Sequence, residues 1–105
     1  MVSALSSATS GLQDASNRLD VAANNIANAN TADFTPSRVD SAQLPGGGVT
    51  SVGTTAPNPI ADQPPKANIA TELLTLVLAR LTFQANVRSL NTAANMQSAV
   101  VSFLA

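Results

Sequence analysis

The 105-residue chain has no cysteine, histidine, tryptophan or tyrosine. Without thiols and imidazoles it can form no disulfide, thiolate nucleophile or imidazole base, and hardly any transition-metal site. Charge is scarce too. Five basic and six acidic residues give a net charge of -1, and charged residues make up 10% of the chain, against about 25% in a typical soluble domain. The five basic residues are scattered, which argues against the clustered cationic face that nucleic acid requires. No phosphate-cradling glycine loop opens a helix, and Pro45-Gly46-Gly47-Gly48 is a turn with no lysine after it. Asp14 and Asp20 are six apart on one helix and do not face each other, so they read as a solvated face and not an acid–base pair. Catalysis fails on this inventory, and no cofactor or metal is expected.

The amino end, MVSALSSATSG, lacks a basic n-region and a continuous apolar h-region, so no cleaved secretory signal is expected. If the protein leaves the cytoplasm, another export route must carry it. The uncharged stretch SLNTAANMQSAVVSFLA is about as long as a minimal membrane span of ~17 residues, but its Asn, Gln, Thr and Ser content argues against insertion.

What the chain does have is strongly segregated. All six prolines lie between Pro36 and Pro65, and four of the five glycines fall in the same stretch. Two proline-free arms therefore flank a breaker-rich middle, dividing the chain into residues 1–34, 35–67 and 68–105. In the first arm Leu5, Leu12, Leu19 and Ile26 recur every seventh residue, with Ala8, Ala15, Ala22 and Ala29 three after each. This a/d pattern predicts a long helix from a cap at Ser3 to about Asn30, with small d residues that let a partner helix approach closely.

The second arm carries Leu73, Val87, Ala94 and Val101 in one column and Ile69, Leu76, Phe83, Leu90 and Leu104 in the other, interrupted by Arg80 and Gln97. Asn68 is the expected N-cap, and Glu72 sits where a helix dipole favours a negative charge. Arg80 reads as a side chain that snorkels out of the seam or fixes its register. At ~1.5 Å per residue the arms would be about 40 and 55 Å long, more than a chain of this size can cover by itself. In TELLTLVLARLTF the apolar residues cover most of the helix circumference, which predicts burial on all sides and hence neighbours. The fold expected is mainly α: two long antiparallel terminal helices in a coiled-coil hairpin. In the middle, LPGGGVTSVGTT offers a turn followed by β-prone residues, so a short β-hairpin with Ser37 to Leu44 can form. APNPIADQPPKA should follow as an extended connector.

LDVAANNIANANTADF resembles the amino-terminal signature of the bacterial flagellar axial family, the rod and hook subunits, at Ala23, Asn24, Asn25, Ile26, Ala27, Asn28, Thr31 and Phe34. Asp33 stands where that family usually has glycine, and Asp is one of the few residues that tolerates the same positive φ. NIATELLTLVLARLTFQANVRSLNTAANM is similar to the carboxyl-terminal signature, most of all in the small proximal-rod subunits, at Glu72, Phe83, Gln84, Ala85, Asn86 and Thr92. The centre is shorter than is usual there.

The resemblance implies a structural rod subunit, exported unfolded without a cleaved signal through the flagellar type III apparatus. Its terminal helices would pack with one another, with copies of itself and with other rod subunits into the tubular periplasmic rod. The packing residues would be Leu5, Leu12, Leu19, Ala22, Ile26, Leu73, Leu76, Phe83, Val87, Leu90, Val101 and Leu104. Asn24, Asn25, Asn28 and Asn30 fall outside the a/d seam. An uncharged amide there can donate and accept across a subunit contact without burying a charge, or it simply lines a polar, fraying helix end. A different class, a secreted helical-hairpin effector or export partner acting as a small soluble dimer, fits the long Pro/Gly centre and the absence of Trp less well.

Overall fold

The computed structural model describes residues 2–55 and 67–105. Four elements follow in order: α1 (Val2–Ala27), β1 (Arg38–Gln43), β2 (Val49–Thr55) and α2 (Ile69–Leu104). The expected extended connector falls mostly outside the described residues.

Helix α1 begins one residue before the expected cap at Ser3 and stops at Ala27, short of Asn30. Its asparagines explain the early stop. The Asn28 side-chain amide donates to the Asn24 carbonyl at 3.0 Å, and Ala29 N–H turns back to Ile26 O, so the helix tightens into turns. Asp33 then takes φ 59, the left-handed geometry that its place in the sequence implies. This turn sends Pro36 and Ser37 back alongside α1. At the start of α2, Asn68 caps as expected, its Oδ1 accepting from the N–H groups of Ala70 at 3.1 Å and Thr71 at 3.4 Å.

The two helices pack antiparallel through small residues. Ala8, Ala15 and Ala22 are buried on α1, and Ala79 and Ala93 on α2. Leu5, Leu12, Leu19 and Ile26 flank the alanines, half-buried. The approach is close enough that a Cβ on Gly11 would lie 2.6 Å from Asn86 Nδ2, so glycine at this position leaves room for the Asn86 amide. The α2 face that meets α1 runs through Glu72, Ala79, Asn86 and Ala93, one position before the column that begins at Leu73. Close approach selects the small side chains for the seam, and the larger ones are displaced to its flanks and beyond.

Asn25 meets Glu72 at one end of the pair and Gly11 meets Asn86 further along. In that antiparallel register the start of α1 comes level with about Met96, and the last two turns of α2 run on without α1 beside them.

Strands β1 and β2 form an antiparallel hairpin, in agreement with the turn expected at Pro45–Gly48. Leu44 N–H donates to Gly48 O at 3.0 Å, and the register shifts between Asp40 and Ser41. The hairpin lies along α1. Its tip rests on Ser7 and Ser10: Val49 N–H donates to Ser10 Oγ at 3.1 Å. At Gly48, with φ 93, a Cβ would lie 2.6 Å from the same hydroxyl.

Candidate assembly surface

Two polar ties hold the three parts of the fold together, and they determine which surface is left over. The first is Asn25, 1% exposed. Its Nδ2 donates to Ser37 O at 2.6 Å and to Glu72 Oε1 at 3.1 Å, and its Oδ1 accepts from Ser37 N–H at 2.9 Å. One side chain thus joins the end of α1, the returning loop and the start of α2. The expectation that this amide serves a contact between subunits is corrected: its partners lie within the chain. The loop that carries Ser37 is brought to it by the turn at Asp33, a placement that heptad counting alone does not reveal. Asn28 bonds only locally, to Asn24 and Thr31, and Asn24 and Asn30 are exposed.

The second tie is Asp14, which is 9% exposed and not part of a solvated face. Arg18 Nε donates to its Oδ2 at 2.9 Å, while Ser51 Oγ, at 3.1 Å, and Ser41 Oγ donate to its Oδ1. Arg18 Nη2 also reaches Ser41 Oγ at 2.8 Å, and Asn17 Nδ2 reaches Ser51 Oγ at 2.9 Å. The stripe Ser10, Asp14 and Asn17, spaced for one helix face, thereby docks both strands. Burial pushes the Asp14 carboxyl up. The hydrogen bonds from Ser41, Arg18 and Ser51 and the Arg18 charge outweigh that and hold it below its ordinary value.

The sign of this shift makes a prediction. A carboxyl that ionises more readily in the folded state stabilises the fold above about pH 4, and that contribution is lost as the pH falls below it. Asp14→Asn should therefore melt below the wild type at pH 7, with the gap closing at pH 3. Thermal denaturation at the two pH values measures this; an equal gap at both would contradict it.

What remains uncovered is the outer side of α2. Leu73, Leu74, Val77, Leu78 and Leu81 are 51% to 63% exposed. At the far end Met96, Val100, Val101, Phe103 and Leu104 are exposed as well, Phe103 at 90%. The buried hydrophobic residues among those described are five alanines, so most of the large apolar side chains of α2 lie outside the core. Contiguous exposed apolar surface of this kind marks an interaction site.

The residues expected to pack sort into three environments. Ala22 is buried; Leu5, Leu12, Leu19, Ile26, Leu76, Val87 and Leu90 are half-buried at the helix pair; Leu73, Phe83, Val101 and Leu104 are exposed. Of the signature residues, Asn25 and Glu72 are brought into contact and Asn86 lies against Gly11. Ile26, Asn28 and Phe34 are half-buried, while Ala27, Thr31, Gln84 and Ala85 are exposed. Sequence reasoning missed Asp14, Ser41 and Ser51. The only available signal was the Ser10, Asp14, Asn17 spacing, which resembles any polar helix face.

Among the described residues no group of His, Cys, Asp or Glu could hold a metal ion, and no helix is long and apolar enough to cross a membrane. No curated protein matches the sequence. Residues 5–35 match the family described as flagella basal body rod protein. That span takes in most of α1, its asparagine-rich end and the turn at Asp33. Over these residues, at the amino-terminal helix and the turn that follows it, the chain is similar to the flagella basal body rod proteins.

Proposed function

We propose that the protein is a subunit that polymerises through its two terminal helices into the tubular rod of the flagellum, in a position close to that of the small proximal-rod subunits. The observation that carries this reading is the outer face of α2, where Leu74, Val77, Leu78 and Leu81 stand more than half exposed over a core of alanines. Fully burying one such side chain contributes roughly 1.5–3 kcal/mol, so the larger part of the available hydrophobic stabilisation is realised only against other subunits.

On this reading residues 1–34 and 68–105 are the axial segments and residues 35–67 connect them. The partners are copies of the chain, other rod subunits and the flagellar type III export apparatus. Export in an unfolded state suits a thin core, because little packing has to be undone before passage and the missing contacts are regained on assembly. The final location on this reading is the periplasmic rod. Deleting the gene should stop rod completion and swimming, with both restored by the wild-type copy. Complete rods and normal motility in the deletion strain would contradict the proposal.

A further inference from the structure

The two helices meet along a seam that repeats, and a repeating seam does not by itself choose one alignment. On α1 the buried alanines Ala8, Ala15 and Ala22 recur every seventh residue, and on α2 Glu72, Ala79, Asn86 and Ala93 do the same. Leu5, Leu12, Leu19 and Ile26 repeat at the same interval beside them. Sliding α2 past α1 by one heptad, about 10 Å, returns each alanine to an equivalent place. We propose that two polar contacts, Asn86 against Gly11 and Glu72 against Asn25, lock the register of the helix pair.

The two contacts are in phase. Gly11 and Asn25 are two heptads apart on α1, as are Glu72 and Asn86 on α2, so one alignment satisfies both and an alignment one heptad away satisfies neither. Gly11 is buried and is the one glycine of α1; a Cβ there would lie 2.6 Å from Asn86 Nδ2 and 2.9 Å from its Cγ. A slip of one heptad brings Asn86 to Ala4 or Arg18 instead, and each of these carries a Cβ in the space that the amide occupies at Gly11.

The other contact discriminates by hydrogen bonding. Asn25, 1% exposed, donates from Nδ2 to Glu72 Oε1 at 3.1 Å. After a slip one way Glu72 lies beyond Ala27, the end of α1, and loses its donor. After a slip the other way it meets Arg18, whose Nε already donates to Asp14 at 2.9 Å. A single buried amide in a helix seam can specify alignment in this way, at some cost in stability.

The hairpin does not make the choice. Among the described elements it packs on α1 and not on α2, through Ser10, Asp14 and Asn17, so it travels with α1. The lock therefore fixes the height at which the exposed leucines of α2 stand beside the hairpin. This holds whatever covers those leucines, so it does not depend on the assembly reading.

Glu72→Ala with Asn86→Ala gives α2 alanine at every seam position while retaining good helix formers. Spin labels on Ser6→Cys and Thr71→Cys, both at exposed positions in a chain with no other cysteine, stand roughly 30 Å apart along the pair. Labelled chain is diluted into excess unlabelled chain of the same sequence, so that double electron–electron resonance reads distances within one molecule. The wild-type seam is expected to give one distance, and the double variant a second one displaced by about 10 Å. Asn86→Ala alone should show the displaced distance in a smaller share of molecules, and it decides the matter if circular dichroism finds the double variant without its helices. A single unchanged distance in a helical double variant, or in Asn86→Ala where the double variant is unfolded, would overturn the lock. Two distances in the wild type would overturn it as well.

Discussion

Asn25→Ala is expected to lower the stability of the helix pair by about 3 kcal/mol, because it leaves three partly buried partner groups without the amide at roughly 1–3 kcal/mol each. Ser37 loses the acceptor for its N–H and a donor to its carbonyl, and Glu72 loses the amide that it accepts from. Alanine is the better helix former by about 0.6 kcal/mol, which offsets only a small part of this. An isolated α1 peptide should thus gain helicity while the full chain loses it. Asn28→Ala is the matching control, since its bonds are local and it is half exposed; it should be nearly neutral. Asn25→Asp adds a distinct signature: it removes the donor and sets a carboxylate beside Glu72, so it should be at least as damaging at pH 7. Denaturant unfolding of the three variants at one concentration measures the series. An Asn25→Ala protein as stable as the wild type would show that the tie is incidental.

The second large effect is expected on the other side of the molecule. Val77→Glu with Leu78→Glu places two charges on the outer face of α2, at side chains that are 63% and 55% exposed. Glutamate is a good helix former, so the helix itself should tolerate the change. In an assembly the same charges would be buried without partners, at a cost of several kcal/mol per subunit. The double variant should keep the helix pairing of the monomer, pass through export, and fail to enter the rod, leaving cells non-motile. Normal swimming would mean that this face is not an interface. Unfolding of the dilute variant relative to the wild type would mean instead that the face supports the monomer.

These two substitutions also divide what the sequence makes legible from what it hides. The seven-residue columns of α1, the cap at Asn68, the glycine turn of the hairpin and the positive φ at Asp33 are local features, each written in residues close together in the chain. The match at residues 5–35 takes in the α1 columns and Asp33. The two ties are not local. Asn25 reaches Ser37 and Glu72, and Asp14 reaches Ser41 and Ser51, across loops whose course no periodicity encodes.

The face of α2 is hidden for a different reason. Hydrophobicity ranks Leu73, Val87 and Val101 as the interior column. The seam is instead taken by Glu72, Ala79, Asn86 and Ala93, because alanines and Gly11 on α1 draw the helices too close for leucine. A column that mixes alanine with Glu and Asn has no apolar signature. The large side chains are then free to face outward, which in a self-sufficient protein would be a defect and in an assembling one is the binding surface.

The central claim is that this chain is incomplete until its α2 face is covered by other subunits. The most direct test is sedimentation velocity of the purified wild-type protein over a wide concentration range, with circular dichroism on the same samples. Large species should grow in with concentration while helicity rises alongside, since helices of this kind gain most of their stability from packing. The Val77→Glu, Leu78→Glu protein should remain monomeric throughout. A wild-type protein that stays monomeric and fully helical at every concentration, or that stops at a defined dimer, would contradict the account.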